Sequence, residues 1–591
     1  MPRKPRVPGS GGVRRGQLRL GSPGRRLRGG AVLLALLLLV LGGRLVQLQG
    51  FQSQHYAGMA TAQRTRVLPQ AAWRGQITDR NGAVLAVDVD ARDIYAQPRD
   101  IADVDVAATE LAPLLAKPQE QVRTKLLSAS SFVYLERGVD PQVAKKITAL
   151  DLKGVGSLPE RTRLYPTGSL AANVIGFAGR DGAGLAGIES AYNTALAGRD
   201  GRLVIEEDPQ GRVIPAATHH EVDSKPGRGV QLTLDRDLQY VAQKALASGV
   251  QQAQADKGVA IVMDPKTGDV LAMASAPTYD PNNPSRAKAD QFGNPATAWT
   301  YEPGSVNKVI TIAAGIEHGI ITPTTVINVP GSPTPGIKAG SYTISDAESH
   351  PPEPLTVAGV LAQSSNLGTL LISRMLGAPV ELETALRGFG LGAATGVDFP
   401  GESSGILQPS AEWDVSRAAN IPFGQGMSVT PLQMASVYAT IANGGLRMPP
   451  RLVEGLVGTD GLAPAPQGAP RRVVSPATAA TVSELLEAVT TADGTAPKAA
   501  IPGYRVAGKT GTASRIGPDG RYSGYVASFV GFAPADKPAY VVAVVVDNPR
   551  NGHYGGAISA PIFQQIMSYA LAAGRVPPTL TPPAHFPLKG Q

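Results

Sequence analysis

The most continuous apolar run stands near the start of the chain. Gly29 to Gly43 carries no charge and is dominated by Leu34 to Leu41, and Leu45, Val46 and Leu48 continue it past Arg44. A hydrocarbon core takes about 20 apolar residues, so this pattern predicts one membrane anchor over residues 29–49, with Arg44 placed to snorkel to the headgroups. A cleaved signal peptide is the rival, but the small-x-small triplet Ala60-Thr61-Ala62 lies too far downstream of the apolar core. Beyond the anchor, Arg74 to Ala86 reads as strand, Asn81-Gly82 turn, strand. Asp103 to Leu111 and Pro118 to Leu127 are amphipathic with helical spacing and read as packing helices. The Gly-punctuated stretches around Tyr165-Pro166 and Gly187-Ile188-Glu189 show no chemistry of their own, and Glu189 reads as a partner in a structural ion pair.

A polar link, Asp223 to Gly229, precedes a new pattern and places a domain boundary near residue 226. Val230 to Leu234 suits a strand and Asp237 to Gly249 a helix; Gly258 to Met263 and Asp269 to Ser275 then form two apolar runs joined by the turn Asp264-Pro265-Lys266-Thr267-Gly268. Near the end, Val526 to Ala533 and Tyr540 to Val546 read as strands and Ile562 to Leu571 as a helix. The mixture is α+β. The expected organisation is a basic tail over 1–28, the anchor, a non-catalytic α+β domain over 50–226, a second domain over 227–575, and a proline-rich tail over 576–591 that its composition predicts to be unstructured.

Charge changes this picture in one respect. The net charge of +8 suggests nucleic acid, yet residues 1–28 alone hold nine Arg or Lys and no acid, which leaves the rest near −1. A basic block set directly before an apolar span is the inside-facing flank of an anchor, so the body of the chain is expected outside the membrane and no nucleic-acid partner is expected. Cysteine is absent, and the seven histidines show no H-E-x-x-H spacing. Thiolate chemistry is therefore excluded, and a zinc hydrolase has no ligand pattern to rest on.

The candidate chemistry starts at Ser305 and Lys308, in Glu302-Pro303-Gly304-Ser305-Val306-Asn307-Lys308. Pro303 and Gly304 break the preceding element and a buried helix should follow, with Ser305 in its first turn. Residues i and i+3 share a face, so the Lys308 amine can take the Ser305 proton provided that burial lowers its pKa. One such pair occurs easily by chance, and Ser285 with Lys288 is a second, set in a polar loop. Two further motifs follow in order. Ser364-Ser365-Asn366 offers a hydroxyl and an amide at a helix edge, and Lys509-Thr510-Gly511-Thr512 offers a cation on a strand whose Gly508 and Gly511 let a substrate backbone lie close. Lys266-Thr267-Gly268 repeats the last motif, but inside a turn that precedes the serine.

This set of motifs resembles that of class B penicillin-binding proteins, and within them the septal, FtsI-like peptidoglycan D,D-transpeptidases of actinobacterial type. The likeness extends over nearly the whole chain, through the Arg74 to Ala86 hairpin, Tyr165-Pro166, Gly187-Ile188-Glu189, Phe423-Gly424-Gln425-Gly426 and Thr430-Pro431-Leu432-Gln433. It implies a serine-transpeptidase domain of the penicillin-binding and β-lactamase-like fold, with a helix-flanked antiparallel sheet, preceded by an elongated pedestal of dimerisation type. It also implies acylation of Ser305 by a stem peptide, Lys308 as base, Ser364 as proton relay, and Asn366 as a ligand of Lys308 and of the substrate amide. Lys509, Thr510, Gly511 and Thr512 would hold the substrate, and the N–H groups of Ser305 and Thr512 would form the oxyanion hole. The implied partners are peptidoglycan stem peptides, β-lactam antibiotics, the membrane, an FtsW-type glycan polymerase and other divisome proteins, with no metal or organic cofactor.

Three rival readings stand beside this one. The best-known serine β-lactamases need an E-x-x-L-N glutamate, and none stands between Asn366 and Lys509. Gly401 to Gly405 matches G-x-S-x-G but runs into Ile406-Leu407-Gln408-Pro409 rather than a helix. A catalytically weak divisome scaffold or β-lactam sensor of the same fold is the third.

Overall fold

The computed structural model describes residues 23–206, 214, 220–517 and 519–590. Two compact units are present, one from the described residues up to Ala71 with those of 200–224, the other from 72–199 and 225 onward. In the first, the helix Pro23–Val46 runs into a π-helical turn, Gln47–Phe51. Its most apolar 18-residue window has a mean hydropathy of 2.3, and none of the span is buried. At about 1.5 Å per residue the helix is long enough to cross a membrane once. It begins six residues before the predicted anchor, because Arg25, Arg26 and Arg28 continue its helical geometry; the other six basic residues of the tail lie outside the described residues. A second helix, Ser53–Arg64, leads into a three-stranded antiparallel sheet of Thr65–Gln70, Gly201–Glu206 and His220–Val222.

In the second unit the expected hairpin forms between Ile77–Thr78 and Val84–Ala96. Asp79 builds its turn by accepting the N–H groups of Asn81 and Ala83 at 2.9 and 2.8 Å. The long strand Val84–Ala96 also pairs with Val133–Val139 and Val155–Leu164, and the helices Val104–Leu114, Gln119–Leu126 and Pro141–Ala149 cover a small core around Ile94, Leu111, Val122 and Ile147. Glu189 does form a structural ion pair. Fully buried, it meets Arg74 at 2.6 Å and Arg163 at 2.7 Å, and Arg163 also reaches Asp88 at 3.1 Å. The sheet continues across the expected boundary near residue 226, since Gly229–Leu232 pairs in parallel with Ile77–Thr78 and antiparallel with Val453–Gly458.

A five-stranded antiparallel sheet lies at the centre of the region that carries the site, in the order Val270–Ala276, Lys257–Met263, Tyr540–Asp547, Tyr522–Ala533, Ala507–Ile516. Arg236–Gln252 and Gly555–Ala573 pack against its strands, as do Pro431–Ala442 and Pro476–Glu487. Every residue of Val270–Ala276, and all but the first of Lys257–Met263, is buried. That explains why these strands read as unbroken apolar runs rather than as an alternation. The proline-rich tail corrects an expectation, because Val576 to Gly590 is not unstructured but extended and hydrogen-bonded at both ends. Thr579 N donates to Gly503 O at 2.9 Å, Thr356 N to Leu588 O at 3.1 Å and Gly590 N to Pro354 O at 2.8 Å. Extended proline-rich chain makes no internal hydrogen bonds, which leaves its carbonyls free to satisfy a strand edge.

Candidate active site

Gly304–Asn307 forms a 3-10 turn, and the α-helix Lys308–Glu317 begins at the lysine itself, so Ser305 precedes the helix rather than lying in its first α-turn. Gly304 makes this possible. Its φ of +59° favours glycine, its N–H donates to Gly424 O at 2.9 Å, and a side chain on Gly424 would overlap its carbonyl. The Phe423-Gly424-Gln425-Gly426 segment thus braces the Ser305 turn from one side. From the other comes the strand Ala507–Ile516, where a methyl group on Gly511 would overlap Ser528 Oγ and stand 3.0 Å from Pro303 O. Tyr438 donates its hydroxyl to Val306 O at 2.9 Å, and Asn307 Nδ2 donates to Ile421 O at 3.1 Å. Ser305 remains half-buried, within a closely packed frame.

The Lys308 amine is fully buried and, among the described residues, donates its hydrogen bonds to Ser364: to the carbonyl, and to Oγ at 3.2 Å. Burial lowers its pKa to about 7, while the Asp346 carboxylate pulls in the opposite direction. The Ser364 carbonyl can face the amine because Ser364 takes a left-handed φ of +63° between the helix Val357–Ala362 and the helix Asn366–Met375. A non-glycine residue holds that conformation at a cost of about 1–3 kcal/mol, the kind of local strain that collects at functional sites. Asn366 is the first residue of the second helix, and its side-chain amide donates to Ser345 O at 3.0 Å rather than to Lys308. Lys509 is also fully buried and donates to Thr510 Oγ1 at 3.2 Å. Burial, and secondarily the charge of Lys308, push its pKa well below the lysine range. Thr510 Oγ1 lies 2.8 Å from Thr495 Oγ1, and Thr512 Oγ1 accepts Gly555 N–H at 3.3 Å.

The fold therefore gathers Lys308 and Ser364 in direct contact, Lys509 within electrostatic reach, and Ser305 and Gly511 on packed neighbours. Sequence reasoning missed Asp346. Its Oδ1 accepts Asn366 N–H and Leu367 N–H, the latter at 3.0 Å, and its Oδ2 accepts Ser365 Oγ–H at 2.7 Å and faces His350 Nε2 at 3.0 Å. It caps the helix that carries Asn366, from a turn-rich stretch with no local signal of the role. Glu302 was missed as well: a buried carboxylate that accepts Gly426 N–H at 2.9 Å and the Tyr522 hydroxyl at 3.2 Å, with its pKa raised by desolvation. The decoys separate from the site: Ser285 and Lys288 are exposed, and Lys266-Thr267-Gly268 forms the turn between two sheet strands.

Comparison with known proteins agrees with this arrangement. Residues 258–568 match the penicillin-binding protein transpeptidase domain, and residues 69–232 match the penicillin-binding protein dimerisation domain. Penicillin-binding protein PbpB of Mycobacterium tuberculosis is 40% identical over 589 residues, 94% of this chain and 85% of that protein. Peptidoglycan D,D-transpeptidase FtsI of Escherichia coli is 34% identical over 558 residues, 93% of this chain and 91% of that protein. Among solved structures, penicillin-binding protein 3 of M. tuberculosis complexed with aztreonam superposes with a TM-score of 0.69 at 36% identity, covering 89% of this chain and 100% of that chain. A peptidoglycan synthetase from Bifidobacterium adolescentis gives 0.71 at 29% identity, with 89% and 100% covered. The fold and the two matched domains define a penicillin-binding protein of transpeptidase type. The chain belongs to the penicillin-binding proteins, in the class B branch that joins a dimerisation domain to a transpeptidase domain.

Proposed function

We propose that the chain is a peptidoglycan D,D-transpeptidase that cross-links stem peptides through an acyl-enzyme on Ser305. The observation that carries this reading is the fully buried Lys308 amine, bonded to Ser364 and brought by burial to a pKa of about 7. Near neutral pH about half of such amines are uncharged and able to accept a proton. Ser305 Oγ attacks the carbonyl of the penultimate D-alanine as its proton passes to Lys308 Nζ. Ser364 relays a proton to the departing terminal D-alanine amine as the peptide C–N bond breaks. An amine of a neighbouring stem then attacks the ester, forms the cross-link and returns the serine. The backbone N–H groups of Ser305 and Thr512 would hold the oxyanion, each worth a few kcal/mol. Lys509, whose pKa burial holds well below the lysine range, would gain a countercharge when the substrate carboxylate docks beside it, and Thr510 and Thr512 complete that subsite. A β-lactam, an acylating mimic of the same peptide, takes the same serine.

In this reading residues 50–226 form the pedestal and 227–575 the transpeptidase domain, anchored by one helix whose basic flank stays in the cytoplasm. Septal growth is the favoured setting, with the anchor and pedestal docked on an FtsW-type glycan polymerase. Membranes carrying the protein should be labelled by a fluorescent penicillin, and Ser305→Ala should abolish the label. Labelling of Ser305→Ala at the wild-type rate would overturn the assignment, whereas wild-type labelling without cross-linking of stem peptides would favour the sensor reading.

A further inference from the structure

We infer that the C-terminal segment Val576 to Gly590 is a positioning clasp for the transpeptidase reaction, tying the root of the strand that carries Lys509 to the root of the helix that delivers Ser364; the inference rests on the acyl-serine reading above. One end of the segment docks just before the lysine strand. Tyr504 donates its hydroxyl to Val576 O at 2.7 Å, Thr579 N donates to Gly503 O at 2.9 Å, and Arg505 Nη1 donates to Thr581 Oγ1 at 3.2 Å. Lys509 stands four residues beyond Arg505 on the same chain direction.

The other end docks just before Ser364. Thr356 Oγ1 donates to Pro587 O at 2.6 Å and accepts Gly359 N–H at 3.0 Å, so one hydroxyl both caps the helix Val357–Ala362 and holds the tail. Thr356 N donates to Leu588 O at 3.1 Å, and Lys589 Nζ pairs with Glu353 at 2.7 Å. Glu353 in turn lies 3.5 Å from His350, whose other ring nitrogen meets Asp346, the carboxylate that caps the helix of Asn366. A methyl group on Gly359 would overlap the Leu588 carbonyl oxygen, so the helix gives up a side chain where the tail crosses it.

Between its two docks the segment is largely in solvent, with Leu580 97% exposed. Phe586 packs partly against the core, but burial between the docks is slight. Pro577, Pro578, Pro582, Pro583 and Pro587 instead stiffen it and reduce the entropy lost when both ends are fixed. A stiff link fastened to both walls sets how far Ser364 and Lys308 stand from the strand of Lys509. Only two turns of helix separate Thr356 from Ser364, so a shift at the dock is carried to the relay hydroxyl.

The test measures the rate of acylation by a fluorescent penicillin in the detergent-solubilised full chain. Three forms are compared: a chain ending at Val576, Gly359→Ala, and Leu580→Ala as the control that keeps both docks. Alanine favours a helix over glycine by about 1 kcal/mol, so any slowing in Gly359→Ala comes from displacing the tail rather than from weakening the helix. The truncated chain and Gly359→Ala should each acylate about tenfold or more slowly, as misplaced catalytic groups do, yet reach wild-type label at long times. A synthetic peptide of residues 576–591 should restore the truncated chain's rate but not that of Gly359→Ala. Rates within about twofold of wild type in Gly359→Ala would overturn the clasp even if the truncated chain fails to fold. A wild-type chain that takes no label would instead overturn the acyl-serine reading, and the clasp with it.

Discussion

Replacing Lys308 by methionine should abolish acylation and, at neutral pH, make the protein more stable. The ordinary lysine value is 10.5, and burial brings Lys308 to about 7. As pH falls, the unfolded chain binds this proton from about 10.5 downward, whereas the folded chain binds it only from about 7 downward. The lysine therefore costs stability that grows between those limits and stays constant below the lower one, reaching about 5 kcal/mol. Methionine escapes that cost and fills a similar volume. Against this, it gives up the bonds to Ser364 and leaves the Ser364 carbonyl without its donor, a loss of about 2–3 kcal/mol. The balance favours the variant by about 2 kcal/mol at pH 7 and should reverse toward pH 10, where only the lost bonds remain. Denaturant unfolding of the full chain at pH 6 to 10, followed by tryptophan fluorescence, reads the difference. A variant less stable than wild type by the same amount at every pH would refute the buried-amine argument, and normal labelling of the variant would remove Lys308 from the base role.

Asp346→Asn should lower the acylation rate about 10- to 100-fold by loosening the cap on the Asn366 helix, as measured by penicillin labelling. Because Asp346 favours the protonated form of Lys308, its removal should also move the acid limb of the pH–rate profile to lower pH, a displacement that simple destabilisation would not cause. Glu189→Gln should destabilise the chain by about 3–5 kcal/mol, since Arg74 and Arg163 lose a fully buried countercharge; thermal unfolding checks this. Labelling by penicillin in the folded fraction should survive that change.

The sequence was most legible where one local cause decides one local outcome. The Asn81-Gly82 turn is held by the nearby Asp79 carboxylate and the Asp264 to Gly268 turn by that of Asp264, and the buried strands announced themselves as apolar runs. The helix of Lys308 was legible for the same reason, since eight consecutive residues from the lysine onward are buried. What stayed hidden is non-local. Asp346 acts on residues 19 to 21 positions away and does so from an irregular stretch, so neither periodicity nor a motif marks it. The Lys308 amine was expected to point at Ser305, yet its bonds run to Ser364, because the left-handed turn at Ser364 presents its carbonyl and nothing in Gln363-Ser364-Ser365 requires that turn. The tail was misjudged on composition: prolines forbid regular structure within the segment but not pairing with a neighbour's edge.

The strand Gly229–Leu232 takes Ile77–Thr78 on one side and Val453–Gly458 on the other. A recombinant fragment begun at residue 227 would keep every catalytic motif but strip one flank from that strand, baring a row of N–H and C=O groups to any passing chain. Such a fragment should clump at concentrations where a chain that keeps Ile77–Thr78 stays dispersed, so a truncated version intended for inhibitor screening is better begun upstream of Arg74.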